Sequence, residues 1–291
     1  MDSDQDDAEV TTRTLVESLI REDATVDAGE LYDVANALGM SDQQVRLCIK
    51  RLAAEGRFTQ DGRGRKAILR ATERTRTAIE PDLEFVRFMY AQDRGEARWD
   101  GRWHLAAFGI PESMRSARDT MRNAIVRLGG ALIQGGLYVS ANPWEDHILT
   151  LATELDVRAH ISLLTTEDLA VGDSRTAPDL ARRLWPLDRI VDGHRRLLAA
   201  AQRLKPAIPG ASRTEHLRIA ITLAAEFTRA IEPDPLLPPD LLPQPWTGTA
   251  ARAAVAECWA DLLEAEPAQP IRLFRWYAEV VQEVTRPINT S

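Results

Sequence analysis

The chain has 291 residues, 44% of them hydrophobic and 27% charged, with a net charge of −8, a composition typical of soluble globular proteins; its length predicts two or three domains. No apolar run approaches the roughly 20 residues that span a bilayer, which excludes a transmembrane helix. Two distant cysteines, Cys48 and Cys258, lack CxxC spacing, which excludes a disulfide framework and points to a reducing cytoplasm.

The opening MDSDQDDAEV has no basic n-region and no apolar h-region. It reads as an acidic, disordered tail over 1–10 and not as a signal peptide. Thr11 to Ile20 predicts a first helix. In VDAGELYDVANALGM, Asp27 can cap a second helix, Leu31, Val34, Ala35 and Leu38 recur at helical spacing, and Gly39 can stop it. Ser41 caps the next helix, where Val45, Cys48, Ile49 and Leu52 form one buried stripe. The opposite side offers Gln43, Arg46, Leu47 and Lys50, flanked by Gln44 and Arg51. Gly56 ends that helix, and RFTQ and AILR predict two short strands around the turn DGRGRK.

Charge gathers in the same place. Ser41 to Arg76 holds ten Lys or Arg against four Asp or Glu, a net +6, so the rest of this −8 chain carries −14. Helix, helix, polar-basic helix and basic hairpin, in that order, make the layout of a winged helix-turn-helix over 11–76. Its second motif helix would enter the major groove of double-stranded DNA, and its hairpin arginines would track phosphate or the minor groove. The candidate DNA-binding residues are Ser41, Gln43, Gln44, Arg46, Lys50, Arg51, Arg63, Arg65 and Lys66.

Residues 71–92 read as helical, with Pro81 interrupting them, and AQDRGEARWDG as a polar linker; together they predict a linker helix over 77–97. The stretch 98–170 reads strand, helix, two short strands, helix, strand: RWHLAAFGI, PESMRSARDTMRNAIVRLGG, GALIQGGLYVS, WEDHILTLATEL and AHISLLT. That order is the ferredoxin-like βαββαβ arrangement. The pairs Gly129–Gly130 and Gly135–Gly136 lack phosphate-loop spacing and read as turn geometry. From 176 to 291 the chain reads as an all-α domain, crossed by a proline-rich connector, EPDPLLPPDLLPQPWTG, too apolar to float free and expected to pack across the helices. The fold class expected is α+β multidomain.

These features together resemble the PaaX-type transcriptional repressors. The resemblance rests on the N-terminal module, on WDGRWHLAAFGIPESMRSARDTMRNAIVRLGG, GGLYVS and ARRLWPLD, and on EFTRAIEPDPLLPPDLLPQPW. It implies a winged helix, a middle domain related in fold to a small CRISPR-associated nuclease, and a helical C-terminal domain. It further implies a homodimeric repressor released from its operator by an aryl-acetyl-CoA thioester or similar metabolite. Two departures bear on function. Gly109 stands where family members commonly carry Asp, and in the stretch Ala225 to Arg229, Ala225 and Thr228 replace a His and an Arg. The effector expected is therefore an aromatic or acyl-CoA-like small molecule other than phenylacetyl-CoA.

No catalytic constellation stands out. The five histidines, His104, His147, His160, His194 and His216, show no metal-binding spacing. No GxSxG elbow is present, and Cys48 falls on a buried stripe. The competing enzyme reading is a metal-dependent nuclease, which needs carboxylates at the metal; Gly109 supplies none and Glu112 stands alone. A third reading is an assembly module that binds DNA without sequence preference. Neither a cofactor nor a metal is expected. For the effector, Arg182 and Arg183 beside Trp185 would combine phosphate partners with a stacking ring, and Arg229 completes the candidate set.

Overall fold

A computed structural model of the chain describes residues 10–78, 83–267 and 269–285. The acidic tail and the interruption at Pro81 expected from the sequence lie outside the described residues. The chain is α+β, with helices and two small antiparallel sheets. It divides into two compact units. One contains the described residues up to Arg87, with His194–Arg229 and those from Gly248 on; the other contains Phe88–Gly193 and Ala230–Thr247.

The first unit opens with α1 (Thr12–Ser18), β1 (Thr25–Asp27), α2 (Ala28–Ala37) and α3 (Asp42–Ala54). Asp27 ends β1 and caps α2, its carboxylate accepting from the Glu30 amide at 2.9 Å. Strands β2 (Phe58–Asp61) and β3 (Ile68–Ala71) flank a 3-10 turn at Gly64–Lys66, and α4 (Glu73–Ala78) follows. The sheet order is β1-β3-β2, with Thr25 opposite Arg70 and Phe58 opposite Ala71. Leu15, Val16, Leu31, Val34, Val45, Leu52, Phe58 and Leu69 fill the space between sheet and helices. Removing each such side chain from water contributes about 1.5–3 kcal/mol. β1 went unforeseen: three residues carry too little alternation to be seen without their partner strand.

Residues near α1 are tied to the far end of the chain inside this unit. The Glu22 amide donates to the Pro270 carbonyl at 2.8 Å, and the Arg272 amide donates to the Ile20 carbonyl at 2.9 Å. α11 (Thr247–Ala265) and α12 (Arg272–Thr285) pack through Trp259, which stacks on Tyr277 at 3.9 Å and meets Phe274 edge-on at 5.4 Å. Between α5 (Leu83–Asp93) and these closing helices run α6 to α10, described next.

The second unit is built on β4 (Trp103–Phe108), α6 (Arg115–Arg127), β5 (Ala131–Gln134), β6 (Leu137–Ser140), α7 (Glu145–Glu154) and β7 (Ile161–Thr166). All pairs are antiparallel and the order is β5-β6-β4-β7. Side chains alternate between faces along each strand. Ala106 and Tyr138 look toward α6 and α7, where Met121, Ile125, Trp144 and Ile148 form one core. Trp103, Leu105 and Val139 look the other way, against α8 (Ala177–Leu184), the start of α9 (Leu187–Leu204) and the proline-rich run. Pro186 separates α8 from α9 by forcing Trp185 into extended backbone. α10 (Arg213–Ile231) then leads into the proline-rich run.

That run packs against helices, α8 and the start of α9, as the sequence suggested, and also on the open face of the sheet, through Leu237 and Leu241. Asp234 accepts from the Leu236 amide at 2.9 Å, and the Leu236 carbonyl accepts from Gln92 at 2.7 Å and Asn142 at 2.8 Å. Gly129 lets the run approach. Its φ is +81°, and a Cβ there would sit 2.5 Å from the Pro235 carbonyl oxygen. Gly135 has φ +53° and open space around it. Gly135→Ala should therefore cost about 1–2 kcal/mol from left-handed backbone alone. Gly129→Ala should cost about 1–3 kcal/mol more from overpacking. Urea unfolding of the two variants checks this, and equal midpoints would contradict it.

Candidate nucleic-acid interface

α3 begins with a reciprocal cap. The Ser41 hydroxyl accepts from the Gln44 amide at 3.3 Å, and the Gln44 side-chain oxygen accepts from the Ser41 amide at 2.8 Å. Such caps stabilise a helix start by about 0.5–2 kcal/mol. Ser41 and Gln44, both counted as DNA contacts from the sequence, are thus engaged in holding the helix start. Val45, Cys48, Ile49 and Leu52 are buried, as the periodicity predicts. Burial pushes the Cys48 thiol upward, against a weaker opposing pull from Arg51. The thiolate is disfavoured and the residue serves packing.

The outer side of α3 presents Gln43, Arg46, Leu47 and Lys50, all exposed. Arg46 and Lys50 have no hydrogen bond or ion pair among the described residues. Arg51, the next residue, stands 4.0 Å from Glu55.

The β2–β3 turn separates three cations that the sequence grouped together. Arg63 and Lys66 are exposed and have no partner among the described residues. Arg65 turns back onto α2. Both terminal nitrogens donate to Asp33 Oδ1, at 2.8 and 3.0 Å, and its guanidinium lies 5.3 Å from the Tyr32 ring centroid. Arg65 ties the turn to α2 with its charge matched by Asp33, unlike Arg63 and Lys66. Of the candidate contacts, the cations without a partner among the described residues are thus Arg46 and Lys50 on the helix and Arg63 and Lys66 on the turn. Such groups match the phosphates and base edges of a duplex.

α2 is also held from behind. Glu30 accepts from Arg21 at 3.0 Å and from Arg213 at 2.8 Å, and Arg213 reaches Glu266 at 3.3 Å. Glu266 also meets His216 Nδ1 at 3.0 Å, while Nε2 donates to the Ile208 carbonyl at 2.9 Å. This chain of ion pairs joins α2 to α10 and to the end of α11. It could not be seen in the sequence, since Arg213 and Glu30 are 183 positions apart.

Within the second unit, the ring and the first of the two arginines proposed for an effector are engaged by other residues. Trp185 is 6% exposed. Its ring stacks on Trp103 at 6.3 Å, and its Nε1 donates to the Gly129 carbonyl at 2.9 Å. It is core, and offers no face to a ligand. Arg182 pairs with Asp179 at 2.8 Å, and Arg183 lies against Gly172. Arg229 belongs to the other compact unit. Thr228 spends its hydroxyl on the Ala224 carbonyl at 2.9 Å.

The two positions weighed for nuclease chemistry, Gly109 and Glu112, do not form a carboxylate set. Gly109 closes β4 without a side chain, and Glu112 is paired with Arg118 at 2.6 Å and Arg115 at 3.8 Å. Among the described residues no group of three His, Cys, Asp or Glu could hold a metal ion. His104 is buried and anchored to Glu145 at 2.6 Å. Burial raises the Glu145 pKa, but that hydrogen bond and two backbone amides outweigh it and hold the carboxyl below its ordinary value. Burial pushes the Cys258 thiol up to about 11. No helix among the described residues is long and apolar enough to cross a membrane.

Residues 96–178 match the model of the PaaX protein central Cas2-like domain, and residues 185–282 match that of the PaaX-like protein C-terminal domain. No curated protein matches the chain. Among solved structures, the uncharacterized protein Rv0674 from Mycobacterium tuberculosis is similar, with a TM-score of 0.54 and 23% identity over 90% of this chain and 99% of that one. A likeness at that identity speaks to the fold alone.

Proposed function

The chain belongs to the PaaX family, and from that premise we propose that it is a sequence-specific transcriptional repressor, reading duplex DNA with a winged helix over 11–76 and responding to a small molecule through its body. The observation that carries this is the set of unpaired cations Arg46, Lys50, Arg63 and Lys66, on α3 and the adjoining turn, in a chain of net charge −8. α3 is the helix for the major groove, with Gln43 and Arg46 near its start facing base edges. The four-stranded unit is ferredoxin-like in strand order, and its reading as scaffold is supported by Gly109, which supplies no carboxylate, and by Glu112, which is paired with Arg115 and Arg118.

Footprinting with the purified full chain on a duplex selected from a random library tests this. Protection of one defined site, lost against random competitor only at large excess, supports the reading. Uniform protection would make the protein a non-specific binder. Two half-sites are expected, matched by a homodimer, and light scattering that gives a monomer with and without DNA would sink that part. The effector is an aromatic acid or acyl-CoA-like thioester, distinguished from phenylacetyl-CoA by Ala225 and Thr228. An effector must bind the free protein more tightly than the DNA-bound form, so calorimetry and site release with a thioester panel are the measurement. Release by phenylacetyl-CoA at low micromolar levels would refute the altered specificity.

A further inference from the structure

Four large apolar side chains stand well exposed among the described residues: Leu47, Val126, Leu132 and Leu164. Leu47 is the most exposed, at 59%. A single apolar residue on a surface is ordinary, so exposure alone carries nothing. Its position carries more. α3 meets its packing needs through Val45, Cys48, Ile49 and Leu52 on the opposite side. Leu47 stands instead among Gln43, Arg46 and Lys50, in the middle of the face that holds the unpaired cations. A helix face that carries both free cations and an apolar side chain at its centre matches a surface that is anionic at its rims and locally apolar inside. The major groove is such a surface, and the C5-methyl of thymine is the apolar group that base edges present there.

We propose that Leu47 is a specificity-determining residue that reads a thymine C5-methyl in each half-site, while Arg46 and Gln43 take hydrogen-bonding edges beside it. This rests on the DNA-reading function proposed above. The contact would bury one methyl against the Leu47 side chain, and it would discriminate thymine from cytosine, which lacks that methyl.

The test uses the full chain and a duplex it selects from a random library. Each thymine is replaced in turn by deoxyuridine, which keeps base pairing and phosphates and removes one methyl. At one thymine per half-site, replacement should weaken binding by about fourfold, the size expected for one buried methyl. Leu47→Ala should lose affinity on the thymine duplex and show no further loss on the deoxyuridine duplex. Because Leu47 is exposed, its variant should melt like the parent, which separates lost recognition from lost folding. If every thymine tolerates deoxyuridine, or if Leu47→Ala keeps the parent's sensitivity, the inference is overturned while the DNA-binding function stands. If no duplex is enriched from the library, that function fails and this inference fails with it.

Discussion

Replacing Trp103 with alanine is expected to destabilise the four-stranded unit by about 3–5 kcal/mol. The side chain is 2% exposed. Trp99 meets it edge-on at 5.4 Å, and Trp185 stacks on it at 6.3 Å. Truncation removes its burial and leaves a cavity that two large rings cannot collapse into. Because the chain has two compact units, the measurement is the midpoint of the urea transition that contains this unit, followed by tryptophan fluorescence. Trp103→Phe should recover much of the loss, since most of the volume returns. A cost under about 1 kcal/mol for the alanine variant would mean that the ring cluster does not hold the sheet face.

The same residues show how WDGRWH organises the start of β4. Asp100 accepts from the Arg102 amide at 2.9 Å, which closes a tight turn. Trp99 donates to the Arg102 carbonyl at 3.0 Å, so its ring folds back beside Trp103. His104, on the other face of β4, is anchored to Glu145 at the start of α7. Six consecutive residues thus set a turn, a core anchor on one sheet face and a buried polar anchor on the other.

What could be read from the sequence was local. The stripe Val45, Cys48, Ile49 and Leu52 and the cap at Ser41 depend on spacings of three and four residues, and α3 has them as expected. The strands around DGRGRK follow from short apolar runs and turn residues. What could not be read was pairing over distance. Arg65 and Asp33 are 32 positions apart, and nothing in DGRGRK marks one arginine as tethered and its neighbours as free. Trp185 looked available because arginines precede it. Its ring is taken by Trp103 and its N–H by Gly129, 56 positions away. The proline-rich run was legible as packed, but its seat on the sheet was not, because Gly129 and Asn142 lie about a hundred residues upstream.

The tether at Arg65 gives the charge prediction its sharpest form. A variant with Lys50, Arg63 and Lys66 all replaced by alanine should lose affinity for every duplex alike. Each phosphate contact adds about 0.9 to the slope of log affinity against log salt, so the slope should fall by about 2.7 if all three touch phosphate. Arg65→Ala should change the slope far less, because Asp33 already matches that charge at 2.8 Å. It should instead loosen the turn from α2, seen as a modest drop in melting temperature. Arg46→Ala belongs to a third class: about 1–3 kcal/mol lost on the selected site, with preference relaxed at one base position. Filter binding across a salt series, on selected and random duplexes, separates the three. If Arg65→Ala lowers the slope by about 0.9, as a lost phosphate contact would, the guanidinium leaves Asp33 for phosphate when DNA binds. If the triple variant keeps the parent slope, the duplex docks elsewhere on the protein.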